Sequence, residues 1–129
     1  MTEISLEKRG GVYEVPVRIN GALTLNFILD TGASEVNIPA EVVSTLLGNG
    51  TINATDFLPS QSYRMADGST VESSRLRIHE LQIGDSKVRE VPATVVSGTG
   101  FPLLGQSFLG RLNSWSLDNK RNLLLIRAK

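Results

Sequence analysis

The amino-acid sequence predicts an all-β, barrel-like domain that contains one or two short helices. Three observations support this prediction: short segments of strand character dominate the chain, polar turn residues separate them, and no internal repeat is present. At 129 residues, the chain is long enough to bury a hydrophobic core of its own. We therefore treat residues 1–129 as one domain.

The first predicted element is a β-hairpin. Val12 to Ile19 alternates apolar and polar residues, and Ala22 to Leu29 returns as a second strand that ends at Asp30. The Asn20-Gly21 pair between them is the strongest short-range signal for a hairpin turn. The hairpin therefore delivers Asp30 to the end of a strand.

The segment from Ile38 to Gly48 predicts one short helix. Pro39 occupies a plausible first helical position, and Gly48 lies just past the end of the pattern. We expect four apolar side chains to form the buried face of this helix, namely Val42, Val43, Leu46 and Leu47. Residues 49–61 are polar and predict a loop that leads to a strand.

Three further pairs of strands are predicted in the second half of the chain, each joined by polar turn residues. The pairs are Tyr63–Met65 with Val71–Ile78, Leu81–Ile83 with Lys87–Val96, and Trp115–Leu117 with Leu123–Ile126. The first pair makes a long hairpin with its tip at Ala66 to Thr70. A short helical pattern also follows Gly105.

Composition excludes several classes of function. Thirteen basic residues balance thirteen acidic ones, so the chain has no electrostatic footprint for nucleic acid or for an anionic membrane surface. The absence of cysteine excludes disulfides, thiol catalysis and cysteine-type zinc sites. No signal peptide and no run of 18 apolar residues is recognisable, so we expect a soluble domain without membrane contact. Its location stays open between cytoplasm and periplasm, since the chain could be excised from a membrane-anchored protein.

Asp30-Thr31-Gly32 places a carboxylate directly after an apolar strand. Burial disfavours an ionised carboxylate unless hydrogen bonds or a paired charge compensate. Gly32 would permit a backbone bend and the close approach of a ligand, and Thr31 supplies a short hydroxyl. Taken alone, the three residues are typical of a polar turn between two elements.

A second motif changes this interpretation. Two apolar residues, Leu103 and Leu104, precede Gly105 and the short helical pattern. A strand ending in Asp-Thr-Gly-Ala, followed later by apolar-apolar-Gly and a short helix, resembles the single-lobe, retropepsin-like aspartic peptidases. The resemblance runs from about Val12 to Ile126 and is closest to the bacterial members of clan AA.

The resemblance implies a specific chemistry. The family hydrolyses peptide bonds with a water activated by two carboxylates, and each chain of a homodimer supplies one. Two carboxylates about 3 Å apart share a proton, so the pair holds one general base and one acid. No metal, cofactor or covalent nucleophile is implied. This sequence has one Asp-Thr-Gly, so a peptidase of this kind would be a homodimer with Asp30 on the twofold axis.

The resemblance also implies roles for individual residues. Asp30 aligns with the catalytic carboxylate, Thr31 with a hydroxyl that braces the two turns, and Gly32 with the position that receives the substrate backbone. The hairpin at about 62–78 corresponds to a flap that closes over substrate with the tip Ala66, Asp67, Gly68 and Ser69. Ala33 and Leu103 would line a substrate pocket, while Leu104 and Gly105 would pack beneath the Asp turn. We further expect Ile28 and Ile38 to make this pocket apolar.

The sequence departs from the viral members at two positions. Those members commonly have an acid after Asp-Thr-Gly-Ala and an arginine after apolar-apolar-Gly, and the two form an ion pair that braces the dimer. Here the positions are Ser34 and Gln106. Both are neutral, so no buried charge is stranded, but the bracing of the dimer must differ.

Two hypotheses of different class follow. The first is an aspartic endopeptidase that acts on a peptide or protein substrate. The second is a catalytically silent peptide-binding or dimerisation module of the same fold. The intact Asp-Thr-Gly favours the first, because a binding module has no physical need for a buried acid. The one histidine, His79, fits a structural or exposed residue better than a ligand.

Overall fold

The computed structural model describes residues 2–98 and 100–127. It contains eleven strands, two α-helices and one 3₁₀ turn at Ala54–Asp56. The strands are β1 (Thr2–Ser5), β2 (Glu7–Arg9), β3 (Val12–Ile19), β4 (Leu23–Leu29), β5 (Val36–Pro39), β6 (Phe57–Arg64), β7 (Thr70–Ile83), β8 (Ser86–Val96), β9 (Leu103–Leu104), β10 (Ser114–Asp118) and β11 (Leu123–Arg127). The helices are α1 (Ala40–Gly48) and α2 (Gln106–Leu109). The all-β prediction with short helices is confirmed.

The larger sheet closes into a barrel. Its eight strands run in the order β2-β3-β4-β9-β5-β8-β7-β6, and an additional β3–β7 pairing joins Arg18 to Gln82 and Ile19 to Leu81. This pairing closes the sheet into a ring, while β2 and β6 lie outside it. The six strands of the ring are β3, β4, β9, β5, β8 and β7. A second, three-stranded sheet has the order β1-β11-β10.

The core fills the interior of the ring and the space under the second sheet. The largest fully buried side chains are Phe27, Phe108, Ile19, Ile38, Leu46, Ile52, Leu76, Ile78, Leu81, Ile83, Leu104 and Leu109. Except for Ile52, which follows α1, they come from strands whose alternate residues point inward and from one face of each short helix. The core therefore brings the N-terminal hairpin, the long hairpin and the segment after Leu103 into one packing unit.

The N-terminal hairpin forms as predicted. β3 and β4 pair antiparallel from Glu14 opposite Ile28 to Ile19 opposite Leu23. Asn20 and Gly21 have φ values of 52° and 66°, the left-handed conformation that favours these residue types in a tight turn. The last two predicted strand pairs correspond to β7–β8 and β10–β11 and also lie where the sequence places them.

Predictions about α1 need correction. The helix begins at Ala40, and Pro39 is its N-cap residue. Val43 and Leu46 are its buried residues, whereas Leu47 is 39% exposed. A helix this short buries a narrow face, and Leu47 lies about 100° around the axis from Leu46.

The predicted loop at 49–61 is also wrong in its second half. Asn53 and Asp56 form a reciprocal capping box around the 3₁₀ turn, and β6 begins at Phe57. The first part of β6 was missed, although its end at Tyr63 was predicted, because β6 is a largely exposed edge strand, where an alternation of apolar residues is not required.

β7 is one continuous strand, although the sequence predicts two. Leu76 and Ile78 are buried on one face, while Leu81 and Ile83 are buried on the other. The buried side changes within the strand, which breaks the period-2 pattern between Ile78 and Leu81.

Neither of the two helices in the described part of the chain has the length and apolar character that a membrane-spanning helix needs.

Candidate active site

The two motifs of the sequence lie side by side in the structure. β4 and β9 pair in parallel, with Ile28 opposite Leu103 and Leu29 opposite Leu104. The backbone N–H of Asp30 donates to the carbonyl of Leu104 at 3.2 Å. The end of the strand that carries Asp30 is therefore held by the apolar-apolar-Gly segment.

The turn at Asp30 is braced by its own carboxylate. Oδ1 of Asp30 accepts a hydrogen bond from the backbone N–H of Gly32 at 3.0 Å, and the Ala33 N–H donates to the Asp30 carbonyl at 3.3 Å. Asp30 is half-buried, and Thr31 and Gly32 are exposed in the single chain. The carboxylate is thus oriented by a backbone donor while it faces an open surface.

Two expectations about this turn are corrected. Asp30 is half-buried in the single chain and not fully buried. Gly32 does not adopt a positive φ, and an added Cβ would lie 3.4 Å from Oδ1 of Asp30, an ordinary contact distance. The bend at Gly32 thus places no special demand on glycine within one chain.

Gly105 is the glycine that the geometry requires. An added Cβ would lie 2.7 Å from the carbonyl oxygen of Ala33 and closer still to that of Glu35. Both are backbone atoms, which cannot move away as a flexible side chain would. Gly105 therefore permits β9 and α2 to pack directly against the segment that follows Asp30.

Gln106 braces the turn from the same side. Its backbone N–H donates to the Ala33 carbonyl at 2.8 Å, and its side-chain Nε2 donates to the Thr31 carbonyl at 3.0 Å. A neutral amide thus contacts the Asp turn at the position where viral members of the family that the sequence resembles commonly have an arginine. This contact lies within one chain and needs no partner charge at Ser34.

The long hairpin β6–β7 rises beside this turn. Its tip is closed by hydrogen bonds from the Met65 N–H to the Ser69 carbonyl and from the Gly68 N–H to the Met65 carbonyl, at 2.8 and 3.0 Å. Oδ1 of Asp67 accepts from the Ser69 hydroxyl and backbone N–H, and these bonds lower the pKa of Asp67. Gly68 has a φ of 87°, so the tip is a well-formed turn in which Ala66, Asp67, Gly68 and Ser69 are all exposed.

A cavity of about 650 Å³ lies between the hairpin and the segment after Asp30. Its lining combines apolar and polar side chains, including Ala33, Asn37, Tyr63, Met65, Val71 and Thr94. Asp30 and Leu103 lie outside this lining. The expectation that Ile38 lines a pocket is wrong, because Ile38 is fully buried in the core and its neighbour Asn37 faces the cavity instead.

A charged pair behind this cavity was missed by the sequence analysis. Glu35 receives two hydrogen bonds from the Arg75 guanidinium, at 3.1 Å from Nε and 2.6 Å from Nη2. The Arg75 hydrogen bond, ahead of that from Thr94, holds the pKa of Glu35 below its usual value. The partners are 40 residues apart in sequence, so no local pattern could have indicated this pair.

His79 lies in a separate polar cluster. Its Nε2 is 2.7 Å from Oδ1 of Asp56, whose side chain is 3% exposed. Burial raises the pKa of Asp56, but the Asn53 N–H and the His79 ring outweigh it and the net shift is downward. Across residues 2–98 and 100–127, no three carboxylate or imidazole groups converge as a metal site would require.

Comparisons with known proteins agree with this geometry. Residues 15–111 match the family described as "gag-polyprotein putative aspartyl protease". No curated protein sequence matches the chain. Among solved structures, a retropepsin-like aspartic protease from Rickettsia conorii superposes with a TM-score of 0.71 at 21% identity, and the match covers 97% of this chain and 88% of that one.

Proposed function

Because the chain belongs to the retropepsin-like aspartic protease family, we propose that it is an aspartic endopeptidase whose catalytic dyad is formed by Asp30 from each of two identical subunits. One observation supports this most strongly. The carboxylate of Asp30 is oriented by the Gly32 N–H on a turn anchored to Leu104, so a second copy could present the same group across a twofold axis.

The proposed reaction uses the two carboxylates in different protonation states. Two carboxylates in close contact cannot both ionise readily, so the pair retains one proton over a range of acidic pH. The ionised member takes a proton from a water, which attacks the scissile carbonyl. The protonated member forms a hydrogen bond to the carbonyl oxygen and later transfers its proton to the leaving nitrogen, so the dyad is left with the one proton taken from the water. The reaction consumes one water and needs no covalent intermediate.

The dimer is needed because one chain supplies one such turn. Within the described residues, the hydrogen bond to the Asp30 carboxylate comes from the backbone of its own turn. Thr31 and Gly32 are exposed in the single chain, so they are available for contact with a second copy. We assign the Thr31 hydroxyl to bracing across the twofold axis and the Gly32 backbone to substrate.

The substrate is an extended peptide that lies between the Asp turns and the hairpins. In this arrangement the tip of the hairpin, Ala66 to Ser69, closes over the peptide as a flap. Ala33 and Leu103 contact side chains near the cut, while Leu104 and Gly105 support the turn from below. We expect apolar side chains beside the scissile bond, because Ile28, Ala33 and Leu103, which the sequence assigns to the pocket, are all apolar.

The decisive experiment compares cleavage of a mixed peptide library by the parent chain and by Asp30→Asn. Both are assayed at high protein concentration between about pH 4 and 7, with sedimentation on the same samples. Asp85→Asn is the matched control, because Asp85 is exposed in the β7–β8 turn. We expect cleavage by the parent and by Asp85→Asn, and none by a folded Asp30→Asn dimer.

Two results would contradict the proposal. A demonstrated dimer that binds peptides without cutting them would favour a silent binding module. A rate that continues to rise above neutral pH would contradict a dyad that must retain one proton. A library in which charged residues dominate beside the cut would overturn the apolar preference alone.

A further inference from the structure

A chain of hydrogen bonds connects the segment after Asp30 to the proposed flap. Arg75 donates to Glu35, the Thr94 hydroxyl donates to Oε1 of Glu35 at 2.7 Å, and the Tyr63 hydroxyl lies 3.1 Å from the Thr94 hydroxyl. These four residues come from β6, β7, β8 and the segment before β5. One polar network thus joins both strands of the hairpin to the segment that follows the Asp turn.

The chemistry of the groups determines the direction of each hydrogen bond. An ionised carboxylate accepts and cannot donate, so Glu35 requires the Thr94 hydroxyl to donate its only proton toward it. The Thr94 oxygen is then free only to accept. The Tyr63 hydroxyl must therefore donate to Thr94, although the distance alone leaves the donor undecided.

This order leaves Tyr63 with a defined polarity. Its proton is committed to Thr94, so its oxygen can offer only lone pairs to other groups. Tyr63 and Thr94 both belong to the lining of the cavity, whereas Glu35 and Arg75 do not. The side chains of Glu35 and Arg75 are 17% and 21% exposed, so the charge lies behind the two hydroxyls.

The network also persists under the conditions that the reaction needs. Arg75 holds the pKa of Glu35 below its usual value. Glu35 thus stays ionised at mildly acidic pH, where a carboxylate dyad retains one proton. The polarity of Tyr63 is then maintained while the enzyme is active.

We propose that Tyr63 is a specificity-determining residue whose hydroxyl oxygen accepts a hydrogen bond from a donor group of the bound peptide, and that Glu35 and Arg75 are positioning residues that maintain this polarity. The inference rests on the proposed peptidase function. The donor is either a backbone N–H or the amide or hydroxyl of a substrate side chain. A substrate group that can only accept is disfavoured at this position, because two acceptors would face each other.

The test uses matched pairs of peptides. One arm compares Thr with Val and Asn with Leu at each position around the cut, which removes a side-chain donor at nearly constant shape. The other arm replaces single backbone amides by esters, which removes a backbone donor. For the parent enzyme we expect one position or one amide at which the donor raises kcat/KM by about 2- to 10-fold, the range of a net neutral hydrogen bond.

The variants then identify the acceptor. Tyr63→Phe should bring the ratio of kcat/KM between the peptides with and without the donor to about one. Glu35→Gln should reduce this ratio in part, because a carboxamide can also donate to Thr94 and so allows the donors and acceptors of the network to exchange roles. The matched control is Tyr13→Phe, because Tyr13 is the other tyrosine of the chain and its hydroxyl donates to Asn119. Glu41→Gln, an exposed glutamate in the first turn of α1, controls for loss of a charge.

The same peptides are titrated against Asp30→Asn and Asp30→Asn/Tyr63→Phe by calorimetry, which separates this inference from catalysis. A donor preference in binding that Tyr63→Phe removes would support the inference even if no peptide is cut. The inference would be overturned, and the proposed peptidase function left intact, if peptides are cut but Tyr63→Phe changes the kcat/KM ratio of no matched pair more than Tyr13→Phe does. Absence of binding by every peptide would overturn it as well.

Discussion

Gly105→Ala should destabilise the protein because the added methyl group would overlap two backbone carbonyl oxygens. The new methyl group would lie 2.7 Å from the Ala33 carbonyl oxygen and closer to that of Glu35, whereas ordinary contacts of this kind begin near 3.4 Å. Since both obstacles are backbone atoms, β9 and α2 must move away from the Asp turn. The Gln106 N–H would then lose its 2.8 Å bond to Ala33.

The magnitude follows from these two effects. Overpacking of a well-packed site costs about 1 to 3 kcal/mol, and the lost hydrogen bond costs about 0.5 to 1.5 kcal/mol. We therefore expect the free energy of unfolding to fall by about 2 to 4 kcal/mol. For a chain of 129 residues, each kcal/mol lowers the Tm by roughly 4 °C, so the Tm should fall by about 8 to 16 °C.

The assay is urea and thermal unfolding followed by circular dichroism at one fixed protein concentration, because dimerisation would make the Tm depend on concentration. Gly48→Ala is the control, since nothing lies within 4 Å of an added Cβ there and its φ is not positive. That variant should be neutral or slightly more stable. A Gly105→Ala protein within about 0.5 kcal/mol of the parent would refute the packing argument.

Three further outcomes are expected. The pKa of Glu35 is lowered from 4.5 by Arg75, so the pair stabilises the fold above that value and this contribution is lost as the pH falls below it. The urea midpoint measured from about pH 6 to 2 should therefore drop more steeply for the parent than for Glu35→Gln. Parallel curves would contradict this. Asp56→Asn should lower the free energy of unfolding in urea by roughly 1 to 3 kcal/mol, because the buried oxygens of Asp56 accept from a backbone N–H and contact the His79 ring. A loss below about 0.5 kcal/mol would show that the cluster is dispensable. Gln106→Ala removes the side-chain carboxamide that donates to a backbone carbonyl of the Asp turn. Hydrogen exchange at the backbone amides of residues 30–33 should then accelerate by about 2- to 10-fold. Unchanged exchange would assign the bracing to the backbone hydrogen bonds alone.

Local chemistry explains why much of the fold could be predicted. The alternation in Val12 to Ile19 and the Asn20-Gly21 turn specify a hairpin from neighbouring residues alone. The same is true of the β10–β11 pair around its polar turn. Asp30 was found because an apolar run ends in Thr-Gly, and the second motif was found because two leucines precede Gly105.

The errors have equally physical causes. The first part of β6 was missed because an exposed edge strand carries no apolar alternation. β7 was divided because its buried face changes side between Ile78 and Leu81. Leu47 was placed inside because a short helix buries fewer positions than its apolar pattern suggests.

The sequence by itself determined the all-β class, the position of the Asp turn and the motif that supports it, since each depends on residues adjacent in the chain. The tertiary structure alone decided that Glu35 pairs with Arg75, that Asn37 and not Ile38 faces the cavity, and that Gly105 must lack a side chain. Those features depend on how closely strands distant in sequence approach one another once the ring of strands closes. Local propensity carries no information about that approach, because core packing across the whole domain sets it.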